Sequence, residues 1–362
     1  MLSDMPWRLR ETKAVGSVVV VVLLLGSVAC VPASHLPGLV VVFGTSSSIV
    51  GVDQSAGRHT LYKGHFDWTR AGFIAGSPRS VVAYTGAELV VIDRIHGSTR
   101  TVAQDDAVAG PQGAVYWLSG DNKVFELATD QPPDDARQVF ALRLPPPIPA
   151  PAKTAANPRT RLVAATPSGF LVSRTDYQGG LTPFGSPDIL YFVSPIGDVS
   201  RLGPNVGNTF VEQFLAIGDT VLYATSDRNN SSPCGKVTIG AVSMTNRTTR
   251  VVEMPNAPPC FDIDNMLIDN GNVYALRTGW NMQSTNYQPL GDTLIEYVKS
   301  GAGALKVLDN INPAPLDTAT VGQMTATIVL NSKDTYGCGH LQLKNSSGLA
   351  YESDGVCLAA AV

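Results

Sequence analysis

The chain has 362 residues, of which 44% are hydrophobic and 15% charged, with a formal net charge of −4. So low a charged fraction beside so much apolar material excludes compositional disorder and supplies a large core. The charge is negative and no Lys/Arg cluster could neutralise a run of phosphates, which excludes nucleic acid as a partner class.

In chain order, the first element is a targeting signal. Residues 1–13 are polar and carry Arg8, Arg10 and Lys13, and residues 14–31 are uncharged and apolar. The order basic, apolar, small is that of a secretory signal. The segment ends Gly26-Ser27-Val28-Ala29-Cys30. This end resembles a bacterial lipoprotein signal, in which small residues precede a cysteine that is lipidated and becomes the new N-terminus. Ala29 fits the position before that cysteine, and Ser27 departs from the family's usual leucine. The resemblance implies removal of residues 1–29 and lipid attachment at Cys30. Residues 30–37 would then be a tether, and the protein would be membrane-anchored on the extracytoplasmic side. Each buried acyl CH₂ contributes roughly 0.8 kcal/mol, so two or three chains anchor stably. Two other fates fit the same stretch. It is long enough to stay as an uncleaved anchor, or an ordinary signal peptidase could cut near Val31, Pro32 and Ala33.

Residues 38–362 are read as one repeated unit. Each unit has an apolar strand, a polar loop, a second strand, a tight turn and a third strand. The middle runs are Val50-Gly51-Val52, Leu89-Val90-Val91-Ile92, Lys123-Val124-Phe125, Ile189-Leu190-Tyr191-Phe192, Val237-Thr238-Ile239, Thr293-Leu294-Ile295 and His340-Leu341-Gln342-Leu343. Several units begin with a further strand. Asp269-Asn270-Gly271 and Gly218-Asp219 both read as tight hairpin turns. Seven units give a period of about 48 residues, in the range of a propeller blade. The expected fold is all-β, a seven-bladed β-propeller, with six or eight blades as neighbouring solutions and a pair of β-sandwiches as the other architecture. By this pattern the body resembles the propeller lipoproteins common in actinobacteria. One Pro-rich stretch, at residues 144–158, falls between the third and fourth units. It reads as an extended inter-blade connection, because three units alone would not close a ring.

Cysteine arithmetic follows from the signal. With Cys30 set aside, four remain: Cys234, Cys260, Cys338 and Cys357. An even remainder in an exported chain suggests two disulfides. Three connectivities are open, and proximity favours Cys234–Cys260 and Cys338–Cys357.

Chemistry-bearing signatures do not occur: there is no HExxH, GxSxG, P-loop or strand-linked GxGxxG. The five histidines are scattered without metal-ligand spacing, so neither a metal nor a cofactor is expected, and no catalytic residue is named. Loop length is more informative. In a propeller of four-stranded blades, where a further strand precedes each such unit, the connections between the second and third strands of a blade leave from one face. They are short in the first three units and long and polar in the last four. The four long ones carry Asp176 and Tyr177, then Asp227, Arg228 and Asn229, then Trp280, Asn281 and Tyr287, and last Asp334 and Tyr336. Aromatic faces mixed with carboxylates, amides and an arginine suit a glycan or a protein partner. The expectation is a monomeric, non-catalytic binding or scaffold lipoprotein of the cell envelope. The alternative is an envelope enzyme, a glycan hydrolase or lyase or an oxidoreductase, that gathers carboxylates from several blades.

Overall fold

The computed structural model describes residues 38–66, 72–86, 88–103, 106–130, 136–146, 159–175, 188–202, 210–226, 237–252, 261–269, 272–281, 288–297, 305–307, 315–321, 324–329 and 338–362. The signal, Cys30, the tether, and residues 147–158 of the Pro-rich connection lie outside them. No described helix is long and apolar enough to cross a membrane.

The described elements are almost all strands. The chain opens with β1 (Leu39–Thr45), β2 (Ser48–Asp53) and β3 (Arg58–Lys63). β4 (Phe73–Gly76), β5 (Ser80–Tyr84), β6 (Glu88–Asp93) and β7 (Thr99–Ala103) form a four-stranded antiparallel sheet in chain order. The next such sheet is β8 (Ala107–Ala109), β9 (Ala114–Leu118), β10 (Lys123–Ala128) and β11 (Arg137–Ala141). It is followed by β12 (Arg159–Thr166), β13 (Gly169–Thr175), β14 (Asp188–Val193) and β15 (Val199–Arg201). Then come β16 (Phe210–Ile217), β17 (Thr220–Ser226), β18 (Val237–Ser243) and β19 (Thr248–Val252). The last four-stranded sheet is β20 (Phe261–Asp269), β21 (Asn272–Asn281), β22 (Gln288–Tyr297) and β23 (Leu305–Val307). β24 (Pro315–Val321), β25 (Met324–Val329), β26 (Gly339–Asn345) and β27 (Gly348–Ala361) end the chain.

The first and the last described strands meet in one sheet. Its order is β24-β25-β26-β27-β1-β2-β3, seven strands in all. β27 serves both halves. Its first part pairs with β26, with Tyr351 opposite Leu343, and its second part pairs with β1, with Ala361 opposite Val41. Between the two parts lies Gly355 at φ +68°. That left-handed conformation favours glycine and lets the strand change course.

First strands of successive sheets adjoin. β4 lies beside β8, β8 beside β12, β12 beside β16, β16 beside β20 and β20 beside β24, while β24 and β4 both lie beside β27. The succession closes on itself, and the protein is an all-β propeller.

This arrangement explains the apolar runs. Each sheet is packed between two others, so its middle strands bury both faces and lose the alternation of a half-exposed strand. In β6, Val90 and Ile92 pack with Leu39, Val42 and Ile49 of the first set. Leu89 and Val91, on the other face, pack with Val115, Trp117 and Leu127 of the next sheet. The outer strand β3 carries Arg58, His59, Thr60 and Lys63, and none of its residues is fully buried. The turn expected at Gly218-Asp219 is present, with Ile217 opposite Thr220 and Gly218 at φ +55°.

Candidate binding rim

In up-and-down sheets ringed about one axis, every second-to-third connection leaves from the same end. The first three are short: Ser46 and Ser47 between β1 and β2, residues 85–87 between β5 and β6, and residues 119–122 between β9 and β10. The last four are residues 176–187, 227–236, 282–287 and 330–338. Of the ten rim candidates, Asp176, Tyr177, Asp227, Arg228, Asn229, Tyr287, Asp334 and Tyr336 lie outside the described residues. So do Cys234 and Cys260.

Trp280 and Asn281 are placed differently from expectation. They are not loop residues. β21 runs through them, with Trp280 opposite Pro289 and Asn281 opposite Gln288. A register shift between Gly279 and Trp280 lets the ladder resume beyond Gly279. The hairpin therefore projects further than its apolar run, and the connection shrinks to residues 282–287.

The short turns use up their own polar groups. Thr45 Oγ1 accepts hydrogen bonds from the backbone N–H of Ser47 and Ser48, at 3.3 and 3.0 Å. Tyr84 donates its hydroxyl to the carbonyl of Gly86 at 2.9 Å. Ser119 Oγ accepts from the N–H of Lys123 at 3.1 Å. Beside Asp121, the Lys123 ammonium and the Ser119 hydroxyl hold the carboxyl below the usual carboxylate range. Each of these three turns is closed on its own polar groups.

Two features flank those connections, and the first was not singled out in the sequence. The first is Arg174, the penultimate residue of β13, which is only 3% exposed. Its Nη1 donates to the carbonyl of Pro145 at 2.6 Å, and its Nη2 donates to Tyr191 Oη at 2.9 Å. A buried guanidinium thus fastens the start of the Pro-rich connection to the sheet that follows it. Nothing in the local pattern distinguishes Arg174 from an exposed loop arginine, because its partners lie on β14 and in a distant segment.

The second feature is a tether at the end of β27. Cys338 and Cys357 form a disulfide across a sequence separation of 19. This is one of the two pairings that proximity favoured. Two residues on, His340 Nδ1 pairs with Asp354 at 2.8 Å, and Nε2 lies 3.4 Å from Glu352. The hydrogen bond to Asp354 raises the pKa of His340 above the ordinary histidine value, partial burial opposes it, and Glu352 adds to the rise. The spacing Glu352-x-Asp354 is that of two residues on one side of a strand. That these face His340 depends on the β26–β27 register.

The opposite end of the sheets is built from different turns. Asp53 accepts from the N–H groups of Ser55 and Gly57, both at 2.8 Å, and pairs with His59 at 2.7 Å. Asp93 accepts from the N–H groups of Ile95 and His96 at 2.8 and 3.0 Å, and pairs with the His96 ring at 2.9 Å. His59 and His96 are thus each paired with an aspartate. Among the described residues no group of three or more His, Cys, Asp or Glu side chains is placed to hold a metal.

No family model matches the chain. No curated protein matches it either. Solved structures do align. Virginiamycin B lyase from Staphylococcus aureus aligns at 12% identity and a TM-score of 0.41, covering 78% of this chain and 84% of that one. The β-propeller domain of the Trilobed protease from Pyrococcus furiosus aligns at 8% identity and a TM-score of 0.47, covering 85% of this chain and 86% of that one. Hydrazine synthase from Kuenenia stuttgartiensis aligns at 10% identity and a TM-score of 0.43, covering 78% of this chain and 80% of that one. Likenesses this remote carry neither an activity nor a ligand to this chain.

Proposed function

We propose that this chain is an exported, lipid-anchored protein of the cell envelope, whose seven-bladed propeller binds a glycan or a protein partner without transforming it. The observation that carries the binding reading is the segregation of connections. Short, self-satisfied turns occupy three successive sets, and longer connections lie within the last four. Export is supported by the order of the signal segment and by the Cys338–Cys357 bridge, since disulfides persist in oxidising compartments. Seven blades follow if β27 counts once in the last set and once in the first. Cys30 is the lipid attachment site, and Cys234 and Cys260 form the second bridge. Asp176, Tyr177, Asp227, Arg228, Asn229, Trp280, Asn281, Tyr287, Asp334 and Tyr336 are the candidate contact residues.

Two measurements test this. Mass spectrometry of the mature N-terminus, with and without globomycin, should give a diacylated or triacylated Cys30 whose processing the drug blocks. An unmodified, unprocessed chain would overturn the anchor. Titration of the exported body with envelope glycan fragments should show saturable binding that weakens at least tenfold in a Trp280→Ala/Tyr287→Ala variant. Binding unaffected by that variant would remove the rim from the account. Turnover of the fragment that is lost in Asp176→Asn, Asp227→Asn or Asp334→Asn would replace the binding module with an enzyme.

A further inference from the structure

The second half of β27 is the seam of the molecule. It is brought to β1 from the far end of the chain, with Val41 opposite Ala361 and Gly44 opposite Leu358. Beyond it, the N–H of Val362 donates to the carbonyl of Val40 at 3.2 Å. Its side chains serve two interfaces. Val356 and Ala359 pack with Val41, Phe43 and Ile328, while Leu358, Ala360 and Val362 pack with Leu39, Val42 and Val81. Three consecutive alanines, Ala359 to Ala361, make this a weak hydrophobic grip, since a methyl side chain buries little apolar area. β1, by contrast, presents four large residues, Val40 to Phe43, all buried.

A covalent bond reinforces the same strand two residues before its alanines. Cys357 is the second residue beyond the Gly355 bend, and its partner Cys338 immediately precedes β26. The bridge therefore holds the strand at the point where it leaves the last set for the first. The His340 contacts with Glu352 and Asp354 lie on the near side of the same bend.

From this placement we infer that Cys338–Cys357 is a redox-sensitive clasp on ring closure. Oxidised, it keeps residues 356–362 on β1. Reduced, it lets that segment leave β1 while the four-stranded sheets persist. The reduction is an exchange with a dithiol: its thiolates break the S–S bond, Cys338 and Cys357 become thiols, and the reductant closes as its own disulfide. The inference depends on the closure through β27 and not on the identity of any ligand, so failure of either leaves the other standing.

The test is hydrogen–deuterium exchange of the full chain, followed by mass spectrometry, with and without dithiothreitol. Reduction should speed exchange at least tenfold in residues 39–45 and 356–361. Exchange in residues 80–84 and 89–93, inside an adjoining sheet, should change less than twofold. Unchanged exchange at the seam would overturn the clasp, as would an equal rise in all four segments. A Cys338→Ser/Cys357→Ser variant should show the fast-exchanging seam without reductant and no further response to it. A further response in that variant assigns the effect to Cys234 or Cys260 and also overturns the clasp. If the variant does not fold, exchange in the reduced wild-type chain decides alone.

Discussion

Gly240 and Tyr223 offer a sharp test of the register between β17 and β18. The two residues are directly opposite, and a Cβ built on Gly240 would overlap Tyr223 Cζ and its hydroxyl. Tyr223 is 4% exposed, and its interface partners include Leu171, Phe192 and Val242. The ring lies across the glycine and is boxed in by the neighbouring sheet. In Gly240→Ala the methyl must displace it, and overpacking of this kind costs about 1–3 kcal/mol. The substitution also restricts the unfolded chain, which recovers about 0.4–1 kcal/mol. The net expectation is a destabilisation of about 1–2 kcal/mol, read from the urea midpoint at unchanged slope. Tyr223→Leu shortens the side chain so that it no longer covers the glycine. In that background Gly240→Ala should be neutral or slightly stabilising, giving a coupling of about 1 kcal/mol or more. If Gly240→Ala costs the same in both backgrounds, or stabilises the wild type, the ring does not cover the glycine and the register is wrong.

Further outcomes can be checked in the same assays. Phe43→Ala empties a site at 0% exposure in the sheet that joins the first and last described strands, and should cost about 3–5 kcal/mol in urea unfolding. The raised pKa of His340 makes its contribution complete below the ordinary histidine value of about 6.5, and the contribution is lost as pH rises through the raised value. His340→Gln should therefore flatten the fall in thermal midpoint as pH rises above the ordinary histidine value of about 6.5. Burial pushes the Asp93 carboxyl up, but the hydrogen bonds from His96 and Ile95 outweigh it and hold it below the usual range. Its contribution is present above the ordinary carboxylate value and is lost as pH falls through the lowered one. Asp93→Ala should cost about 1–3 kcal/mol near neutral pH, and the difference from wild type should narrow in acid.

The strand runs were legible in the sequence because each is a local pattern. Leu89 to Ile92 and Ile189 to Val193 are continuous apolar runs that suit strands buried on both faces, and Gly218 marks a turn that needs a left-handed residue. The pairing of Cys338 with Cys357 was favoured by proximity alone. Other features were not legible, because they depend on partners far along the chain or on register. Trp280 and Asn281 look like loop residues, since polar strand ends carry no periodicity, yet the ladder with Pro289 and Gln288 extends through them. Arg174 is an ordinary polar residue in sequence, and its burial is set by the Pro145 carbonyl and the Tyr191 hydroxyl. The continuation of β27 past Gly355 decides how the ring closes. Residues 356–361 are too small and too alanine-rich to announce a core strand. They become one only because β1, more than 300 residues earlier, has an unpaired edge that no nearer segment fills.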